Sequence, residues 1–438
     1  YRLLAHARVA GDLELAVPLR FLHDRVRQAA YALIPADERP ARHAAIGQRL
    51  LVRARAQGNL HETLFDVVSH LNLGAELLSP DDQAELAALN LTAARRAKAT
   101  AAYDTALALL AAGISQLGPE ARRRRRALGF HLHAEQAECE YLGGSFDRAL
   151  ARLEQLEPFA ESAEQQLQLV DLRVILHTSM GNTRGALQAG RAGLAAAGLV
   201  IPDDDAACRD AVAEELARIE AHLRRVPLAS LVDAPRVADP VVRGVLKLLA
   251  DMLAPANMTH PDLYALINTR QISLSIEHGH TDISAYTYVV YGYFLATVLR
   301  QYAQADEFGR FALRLNDHLD NSALRCRLRF VFATYAHFTR PLRDVLADFA
   351  TAQADGRESG DYIYLSSACS HILIVRIGLG DPLAEVAEQA DRFIALMERT
   401  RVASSLAVQT IARQFVAALR GHTSAPHSLA DATFDDLA

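Results

Sequence analysis

The chain has 438 residues, of which 51% are hydrophobic and 22% are charged, a composition that is typical of a globular protein and excludes a disordered one. Its formal net charge of −6 argues against nucleic acid as the main partner, because phosphate binding requires a basic surface. No apolar run reaches the roughly 18–20 residues that span a bilayer, and no signal peptide opens the chain. We therefore expect a cytoplasmic protein without a membrane partner, and Tyr1 suggests a piece of a longer protein.

The four cysteines lie far apart in the sequence and include no Cys-x-x-Cys motif. They are Cys139, Cys208, Cys326 and Cys369. This pattern favours free and mostly buried thiols in a reducing cytoplasm over a disulfide framework.

The first element in chain order is a β-like run at residues 15–21, followed by a helical stretch that ends near Pro35. Four apolar residues of this stretch share one helix face, with i, i+3, i+4, i+7 spacing: Val26, Ala29, Ala30 and Leu33. His23 and Asp24 precede that face, where a side-chain acceptor can cap the first N–H groups, and Pro35 ends the helix. Residues 1–35 are therefore predicted to form a hairpin and a helix.

The run from Phe21 to Pro35 reads Phe-x-His-Asp-Arg-Val-x-Gln-Ala-Ala-Tyr-x-Leu-Ile-Pro. It resembles a motif of large bacterial and fungal signalling proteins that join a STAND-type ATPase to a helical repeat region, and then to sensor and output domains such as histidine kinases. Four later segments are similar to the same family: 64–72, 89–99, 100–103 and 308–313. The resemblance therefore covers nearly the whole chain.

The resemblance implies that residues 1–35 are the remnant of a winged helix at the end of an ATPase module. In such proteins a winged-helix histidine near this place can contact the nucleotide phosphate and hold the closed, inactive form, and His23 is the matching residue. The resemblance gives three candidates for an interface with the ATPase domain: His23, Asp24 and Arg25. That domain would precede Tyr1, so this chain alone is expected neither to bind nor to hydrolyse nucleotide.

Three further patterns predict the helices that follow. A helix starts near Asp37 and is expected to bury Ile46 and Leu50. A second apolar face with the same spacing consists of Leu64, Val67, Val68 and Leu71. Another helix starts at Ser79–Asp82, where a Ser cap, a Pro in the first turn and two acidic residues favour a helix N-terminus.

From about residue 100 onward the sequence repeats with a period near 40, which is typical of stacked helix pairs of the tetratricopeptide (TPR) type. Each repeat has a marker residue at the helix–turn–helix corner and a small residue three positions later, which lets the two helices approach closely. These pairs are Tyr103/Ala106, Phe146/Ala149, Thr183/Ala186, Tyr302/Ala305 and, more loosely, Leu342/Val345 and Leu383/Val386. We predict an all-α superhelix of TPR-like helix pairs, with a small N-terminal hairpin or winged-helix remnant.

Residues 199–262 interrupt the repeat and are expected to form short pieces that serve as a hinge, an insertion or a ligand site. Five prolines cause the expected breaks: Pro227, Pro235, Pro240, Pro255 and Pro261. The predicted organisation is a winged-helix remnant (1–35), a helical connector with the first repeat (36–120), the repeats with the irregular segment (121–421) and a polar tail or linker (422–438).

The sequence lacks the motifs of common catalytic sites, since it contains no Gly-x-x-x-x-Gly-Lys-Ser/Thr, no Gly-x-Ser-x-Gly and no His-Glu-x-x-His. His131, Glu135 and Cys139 lie on one helix stripe and are the best metal candidates, but a polar helix face is the favoured interpretation. We therefore predict no catalytic residue, no cofactor and no bound metal.

Four tyrosines crowd one predicted helix: Tyr286, Tyr288, Tyr291 and Tyr293. Tyrosine is amphipathic and is common at interfaces and in grooves. Core packing with phenol tips that reach water is the favoured interpretation, and a binding groove is the alternative. These four residues are the interaction candidates of the repeat region.

The predicted function is that of a non-catalytic protein-interaction and signal-transmitting region in a multidomain ATPase or kinase regulator. Its partner would be another protein or an adjacent domain of the same chain, since a solenoid offers a long concave surface. The alternative is a sensor that binds a small molecule inside the superhelix. A metal-dependent enzyme is a third hypothesis, which the missing motifs disfavour.

Overall fold

The computed structural model of the chain describes residues 3–8, 14–19, 24–118, 124–400, 403–425, 427–432 and 434–435. These residues belong to two compact units, 1–161 and 162–438. No helix in the described part of the chain is long and apolar enough to cross a membrane. All four cysteines are buried free thiols, as the sequence predicts.

The first unit opens with an antiparallel hairpin of strands β1 (Leu3–Arg8) and β2 (Glu14–Leu19). Helix α1 (Asp24–Ala32) follows the hairpin, which is the order of elements predicted for residues 1–35. Of the expected apolar face, Ala29 and Leu33 are exposed and Ala30 is half-buried, and Leu33 lies one residue beyond the end of the helix.

The described part of the first unit continues with further helices and two short 3-10 turns. The helices are α2 (Arg39–Ala56), α3 (Leu60–Leu73), α4 (Pro80–Ala99), α5 (Tyr103–Gln116), α6 (Arg126–Leu142) and α7 (Phe146–Leu156). The 3-10 turns are Ala75–Leu77 and Glu157–Phe159. The predicted start of α4 is confirmed, since the Ser79 hydroxyl accepts a hydrogen bond from the Asp82 N–H at 3.2 Å.

The core of this unit follows the predicted apolar face in α3 but not in α2. The α3 face is at most 3% exposed and consists of Leu64, Val67, Val68 and Leu71. Ile46 of α2 is 42% exposed, so the prediction for that residue is wrong. Leu50 is half-buried and packs against the core. The buried residues of α2 are His43, Ala44, Gly47, Leu51 and Ala54.

The second unit is built from helices and two 3-10 turns. The helices are α8 (Ala163–Ser179), α9 (Thr183–Ala196), α10 (Asp205–Leu223), α11 (Pro240–Thr259), α12 (Pro261–His278), α13 (Ser284–Thr297), α14 (Tyr302–His318), α15 (Arg325–Ala336), α16 (Leu342–Ser359), α17 (Tyr362–Gly378), α18 (Leu383–Thr400) and α19 (Ala403–Leu419). The 3-10 turns are Leu228–Asp233 and Ser322–Leu324.

The repeat markers of the sequence coincide with the first residue of the second helix in each pair. The helices that begin at a marker are α5, α7, α9, α14, α16 and α18. The residue three positions after each marker is at most 1% exposed: Ala106, Ala149, Ala186, Ala305, Val345 and Val386. Each of these helices packs on the helix before it. The predicted all-α class of stacked, TPR-like helix pairs is therefore confirmed.

A left-handed residue two positions before the second helix reverses the chain in several pairs. Four residues have positive φ there, between 56° and 81°: Ala101, Gly144, Gly181 and Arg300. After Gly181, the Asn182 N–H donates to the His177 carbonyl at 2.8 Å. Such a bond satisfies a carbonyl that the end of a helix leaves without a partner.

Residues 199–262 are more regular than their prolines suggest. They contain the long helices α10 and α11, so the predicted short pieces are wrong. Pro240 and Pro261 are the first residues of α11 and α12, where a missing N–H costs nothing, and Pro255 lies inside α11.

The extended segment after the 3-10 turn Leu228–Asp233 is fixed to the turn between α12 and α13. The His280 N–H donates to Pro235 O at 2.8 Å, and the Val237 N–H donates to His280 O at 2.9 Å. Gly279 has a φ of 103°, and a Cβ at this position would collide with the Pro235 carbonyl. Backbone hydrogen bonds therefore fix residues 235–237, which belong to the segment predicted as a hinge, an insertion or a ligand site.

A close junction joins α13, α14 and α15. Gly309 of α14 faces Phe332 and Tyr335 of α15, and a Cβ at Gly309 would lie 2.6 Å from the Tyr335 hydroxyl oxygen. Gly292 of α13 faces the same hydroxyl group, which donates to Val289 O at 3.2 Å. The absence of side chains at the two glycines therefore lets three helices meet at one tyrosine.

Gly309→Ala is expected to lower the free energy of unfolding by about 1–3 kcal/mol, because the added methyl group overpacks the junction. Gly378→Ala is the matched control, since Gly378 lies in α17 and its added Cβ would meet nothing within 4 Å. Urea denaturation followed by circular dichroism measures both variants. Equal changes in the two would contradict the close packing at Gly309.

Candidate functional site

The three candidates for an ATPase interface lie at the start of α1. His23 lies outside the described residues. Asp24 is the first residue of α1, and Arg25 is exposed. The contact of these residues with an ATPase domain therefore stays a prediction.

A chain of three polar side chains connects α1 to α2 and α3. The Tyr31 hydroxyl oxygen lies 3.0 Å from His43 Nε2, and His43 Nδ1 lies 2.9 Å from His70 Nδ1. Both histidines are buried. Tyr31 and His70 belong to two of the segments on which the family resemblance rests, so these segments meet in the fold through His43.

The contact between the two histidine rings restricts their protonation. One Nδ1 must donate and the other must accept, so the contact is lost when both rings carry two protons. Burial lowers the pKa of His43. Burial also lowers the pKa of His70, with a further decrease from the nearby charge of His43, whereas Asp66 acts in the opposite direction.

Further polar contacts link the next helices of the first unit. Asn72 and Asn90 exchange two amide hydrogen bonds, at 2.9 and 2.8 Å, between α3 and α4. Arg95 and Lys98 of α4 each contact a Glu135 carboxylate oxygen of α6 at 2.6 Å. Side-chain hydrogen bonds and ion pairs therefore connect α1 through α2, α3 and α4 to α6.

The contacts of Glu135 also bear on the metal candidates of the sequence, His131, Glu135 and Cys139. Two cations occupy the carboxylate, and burial raises the pKa of the Cys139 thiol to about 11, which disfavours the thiolate that a metal requires. Among the described residues, no three His, Cys, Asp or Glu side chains are grouped so that they could hold a metal ion.

Two of the four tyrosine candidates lie in the core of the second unit. Tyr288 is 0% and Tyr291 is 2% exposed. Their rings meet Phe311 and Phe308 edge to face, at centroid distances of 4.8 and 4.9 Å. These two tyrosines are packed in the core, which is the favoured interpretation of the sequence, and as interaction candidates they are corrected because they offer no surface to a partner.

The other two tyrosines, Tyr286 and Tyr293, are half-buried on α13. The Tyr286 hydroxyl lies 3.4 Å from the Tyr364 hydroxyl of α17. The Arg327 guanidinium of α15 lies over both rings, 5.5 Å from the centre of the Tyr286 ring and 4.7 Å from that of Tyr364. We call Tyr286, Arg327 and Tyr364 the tyrosine–arginine cluster.

Aromatic side chains of α15, α16 and α17 extend this cluster. Phe330 meets the Tyr364 ring at 5.7 Å and the His371 ring at 4.9 Å, both edge to face. His371 also packs on Phe349 at 5.2 Å, and its Nδ1 donates to Ser367 O at 2.9 Å. The half-buried surface therefore continues along α17.

The three members of the cluster occupy equivalent positions in successive repeats. Tyr286, Arg327 and Tyr364 are each the third residue of their helix, α13, α15 and α17. They are 41 and 37 positions apart in the sequence, which matches the repeat period. The sequence analysis missed Arg327 and Tyr364, although alignment of the repeats on their helix starts would have placed them beside Tyr286.

Comparison with known proteins finds similarity to solved structures. No family model and no curated protein sequence matches the chain. The chain is similar to the crystal structure of a Signal Transduction ATPase with Numerous Domains (STAND) protein with a tetratricopeptide repeat sensor from Pyrococcus horikoshii, with 12% sequence identity and a TM-score of 0.48. The match covers 92% of this chain and 52% of that protein, so this chain spans about half the length of the structure it matches.

The stability of the chain is expected to fall as the pH decreases from about 7.5 to about 5, in part through His43 and His70. Their pKa values in the folded chain are lowered from the ordinary value of about 6.5. Because the unfolded chain takes up protons first, this contribution is present above about pH 6.5 and is lost below it. Urea denaturation at a series of pH values measures the slope.

His43→Gln is expected to flatten this slope, because it removes one of the two buried rings that must be charged. His61→Gln is the matched control, since His61 lies on α3 with 63% of its side chain exposed. If His61→Gln flattened the slope as much as His43→Gln, the buried pair would not be the cause.

Tyr288→Phe is expected to raise the free energy of unfolding by about 1 kcal/mol, because the Tyr288 hydroxyl is buried without a hydrogen-bond partner among the described residues. Tyr335→Phe is expected to lower it by about the same amount, since it removes the hydrogen bond to Val289 O. Chemical denaturation of the two variants measures the difference. Destabilisation by Tyr288→Phe would indicate a partner for that hydroxyl.

Proposed function

We propose that the chain is a non-catalytic helical-repeat region that binds a protein partner and transmits the binding event within a multidomain ATPase or kinase regulator of the cytoplasm. The observation that carries this proposal is the tyrosine–arginine cluster, which spans the first helices of three successive repeats. Its two rings are half-buried and meet at Arg327 and at their hydroxyl groups, which leaves part of their amphipathic surface for a partner.

The position of the cluster supports a role in transmission. Each repeat of a solenoid contacts mainly its neighbours, so a change in spacing between repeats alters the curvature of the array. A partner that inserts between the cluster side chains on α13, α15 and α17 would change this spacing at three repeats together. Binding would then be converted into a change of repeat geometry.

The polar contacts of the first unit support a link to a preceding ATPase domain. They run from Tyr31 on α1 through His43 and His70 to the Asn72–Asn90 pair. In this proposal His23, Asp24 and Arg25 contact the ATPase domain, and the polar chain couples that contact to the helical array. The nucleotide chemistry would belong wholly to the ATPase domain.

A small-molecule sensor is the second candidate function, and a polar face of α12 favours it. The Asn268 and Gln271 carbonyl oxygens and the Ser275 hydroxyl oxygen have no hydrogen-bond partner among the described residues, and each side chain is 1% exposed. The three residues lie within about 60° of one another around the helix. Buried acceptors of this kind are usually satisfied by water or by a ligand.

The test is a pull-down with the whole chain as bait, against lysate and against the separately expressed ATPase portion of a parent protein, followed by mass spectrometry. Two variants test the half-buried tyrosines of α13: Tyr286→Ala within the cluster, and Tyr293→Ala two turns further along the helix. We expect each to weaken capture of a partner by about tenfold, the loss typical of a central interface tyrosine. Tyr302→Ala is the matched control, because Tyr302 is an exposed tyrosine at the start of α14 that stacks on Phe338 outside the cluster.

Other outcomes would contradict this proposal in distinct ways. Capture of the ATPase portion alone, weakened by His23→Ala, would indicate an intramolecular clamp. A metabolite found by native mass spectrometry, without any protein partner, would favour the sensor. Equal loss of capture in the tyrosine variants and in Tyr302→Ala would place the binding surface elsewhere.

A further inference from the structure

Arg327 forms a long ion pair with Asp361 and makes no hydrogen bond to the described residues. A guanidinium has five N–H donors, and Arg327 donates none of them in a hydrogen bond to the described residues; its Nε is buried without an acceptor. The nearest carboxylate oxygen, Asp361 Oδ2, lies 3.8 Å from Arg327 Nη2, which is too long for a hydrogen bond. Asp361 Oδ1 already accepts the Tyr364 N–H at 3.2 Å and caps α17.

Arg329, a neighbouring arginine on the same helix, forms a shorter ion pair than Arg327 does. Arg329 lies two residues further along α15, and its side chain is 37% exposed, the same fraction as that of Arg327. Arg329 Nε lies 2.8 Å from Asp355 Oδ2. The two arginines therefore have the same exposure and differ in the length of their ion pairs, 3.8 Å for Arg327 and 2.8 Å for Arg329.

The rings around Arg327 hold its guanidinium in place. The Arg327 Cζ lies over the rings of Tyr286 and Tyr364, a contact that favours the cation but supplies no oxygen acceptor to its N–H groups. The hydroxyl groups of the two tyrosines lie 3.4 Å apart beside it. Because these two hydroxyls are hydrogen-bonded to each other, one O–H and the guanidinium N–H groups remain as donors at this half-buried position.

We propose that Arg327 binds a carboxylate group of the partner of the tyrosine–arginine cluster. It would bind this carboxylate in a bidentate manner, between Tyr286 and Tyr364. A carboxylate matches the planar fork of a guanidinium, and such charge-assisted pairs are among the stronger hydrogen bonds. Asp361 repels any anion at this position, and it repels a doubly charged phosphate more strongly than a singly charged carboxylate, so the carboxylate is favoured of the two. This inference rests on the proposed function, since it names the chemistry that the tyrosine–arginine cluster recognises.

The experiment measures binding of the whole chain to an array of short acidic peptides, each made a second time with Asn and Gln in place of Asp and Glu. We expect the acidic form to bind at least about tenfold more tightly. Arg327→Gln should abolish this preference, and Arg329→Gln should preserve it. Succinate and inorganic phosphate, titrated separately, distinguish a peptide side chain from a free dicarboxylic acid and from a phosphate.

A second variant guards against loss of folding. Arg327→Lys keeps the charge but not the planar fork, so it should bind the acidic peptides with intermediate affinity. Circular dichroism establishes that each variant is folded. Binding of succinate with the same dependence on Arg327, without binding of peptides, would support the carboxylate and assign it to a free acid.

Several results would overturn the inference. They are equal binding of acidic and amide peptides, equal losses in Arg327→Gln and Arg329→Gln, binding of phosphate alone, and no binding of any probe. If peptides bound regardless of charge but lost affinity in Tyr286→Ala, the inference would fail and the proposed function would stand. If Tyr286→Ala also left partner capture unchanged, both would fail.

Discussion

The close approach of two helices at one small residue is the constraint on which this structure depends. In four of the helix pairs that residue is an alanine three positions after the start of the second helix, Ala106, Ala149, Ala186 or Ala305, and it is at most 1% exposed. A larger side chain would push the pair apart, because protein interiors have no spare volume. The junction of Gly292, Gly309 and Tyr335 applies the same constraint between neighbouring pairs.

This packing fixes which part of each first helix faces away from its partner. The third residue of α13, of α15 and of α17 is Tyr286, Arg327 or Tyr364, and the three side chains meet across the repeats. The contacts within the helix pairs thus repeat regularly along the chain. The cluster consists of the side chains at one equivalent position of three successive repeats. Function in repeat proteins commonly takes this form, since stability and recognition use different faces.

Local sequence patterns predicted the helix pairs and their starting residues well. Marker and small residues gave the first residue of the second helix in each repeat, and the Ser79 cap gave the start of α4. The same patterns failed where a residue has two uses. Proline was read as a break in residues 199–262, but Pro240 and Pro261 begin helices and Pro255 is accommodated inside α11.

The candidate site was half predictable. The sequence singled out Tyr286 and Tyr293 but could not separate them from the buried Tyr288 and Tyr291, because α13 is apolar on most of its sides and its neighbours decide which ring is covered. Arg327 could not be found from local spacing, since its partners lie on other helices. The buried side of α2 escaped for a similar reason, because His43 is held by Tyr31 and His70.

The most direct measurement of the central claim is site-specific photo-crosslinking in lysate. A photoreactive amino acid replaces Ser367, which lies one turn after Tyr364 on α17, or Phe159, an exposed aromatic residue of the first unit. We expect the probe at position 367 to form a discrete crosslink to a partner, and we expect no such crosslink from the probe at position 159. Crosslinks at position 159 alone, or the same products from both positions, would contradict a binding site at the tyrosine–arginine cluster.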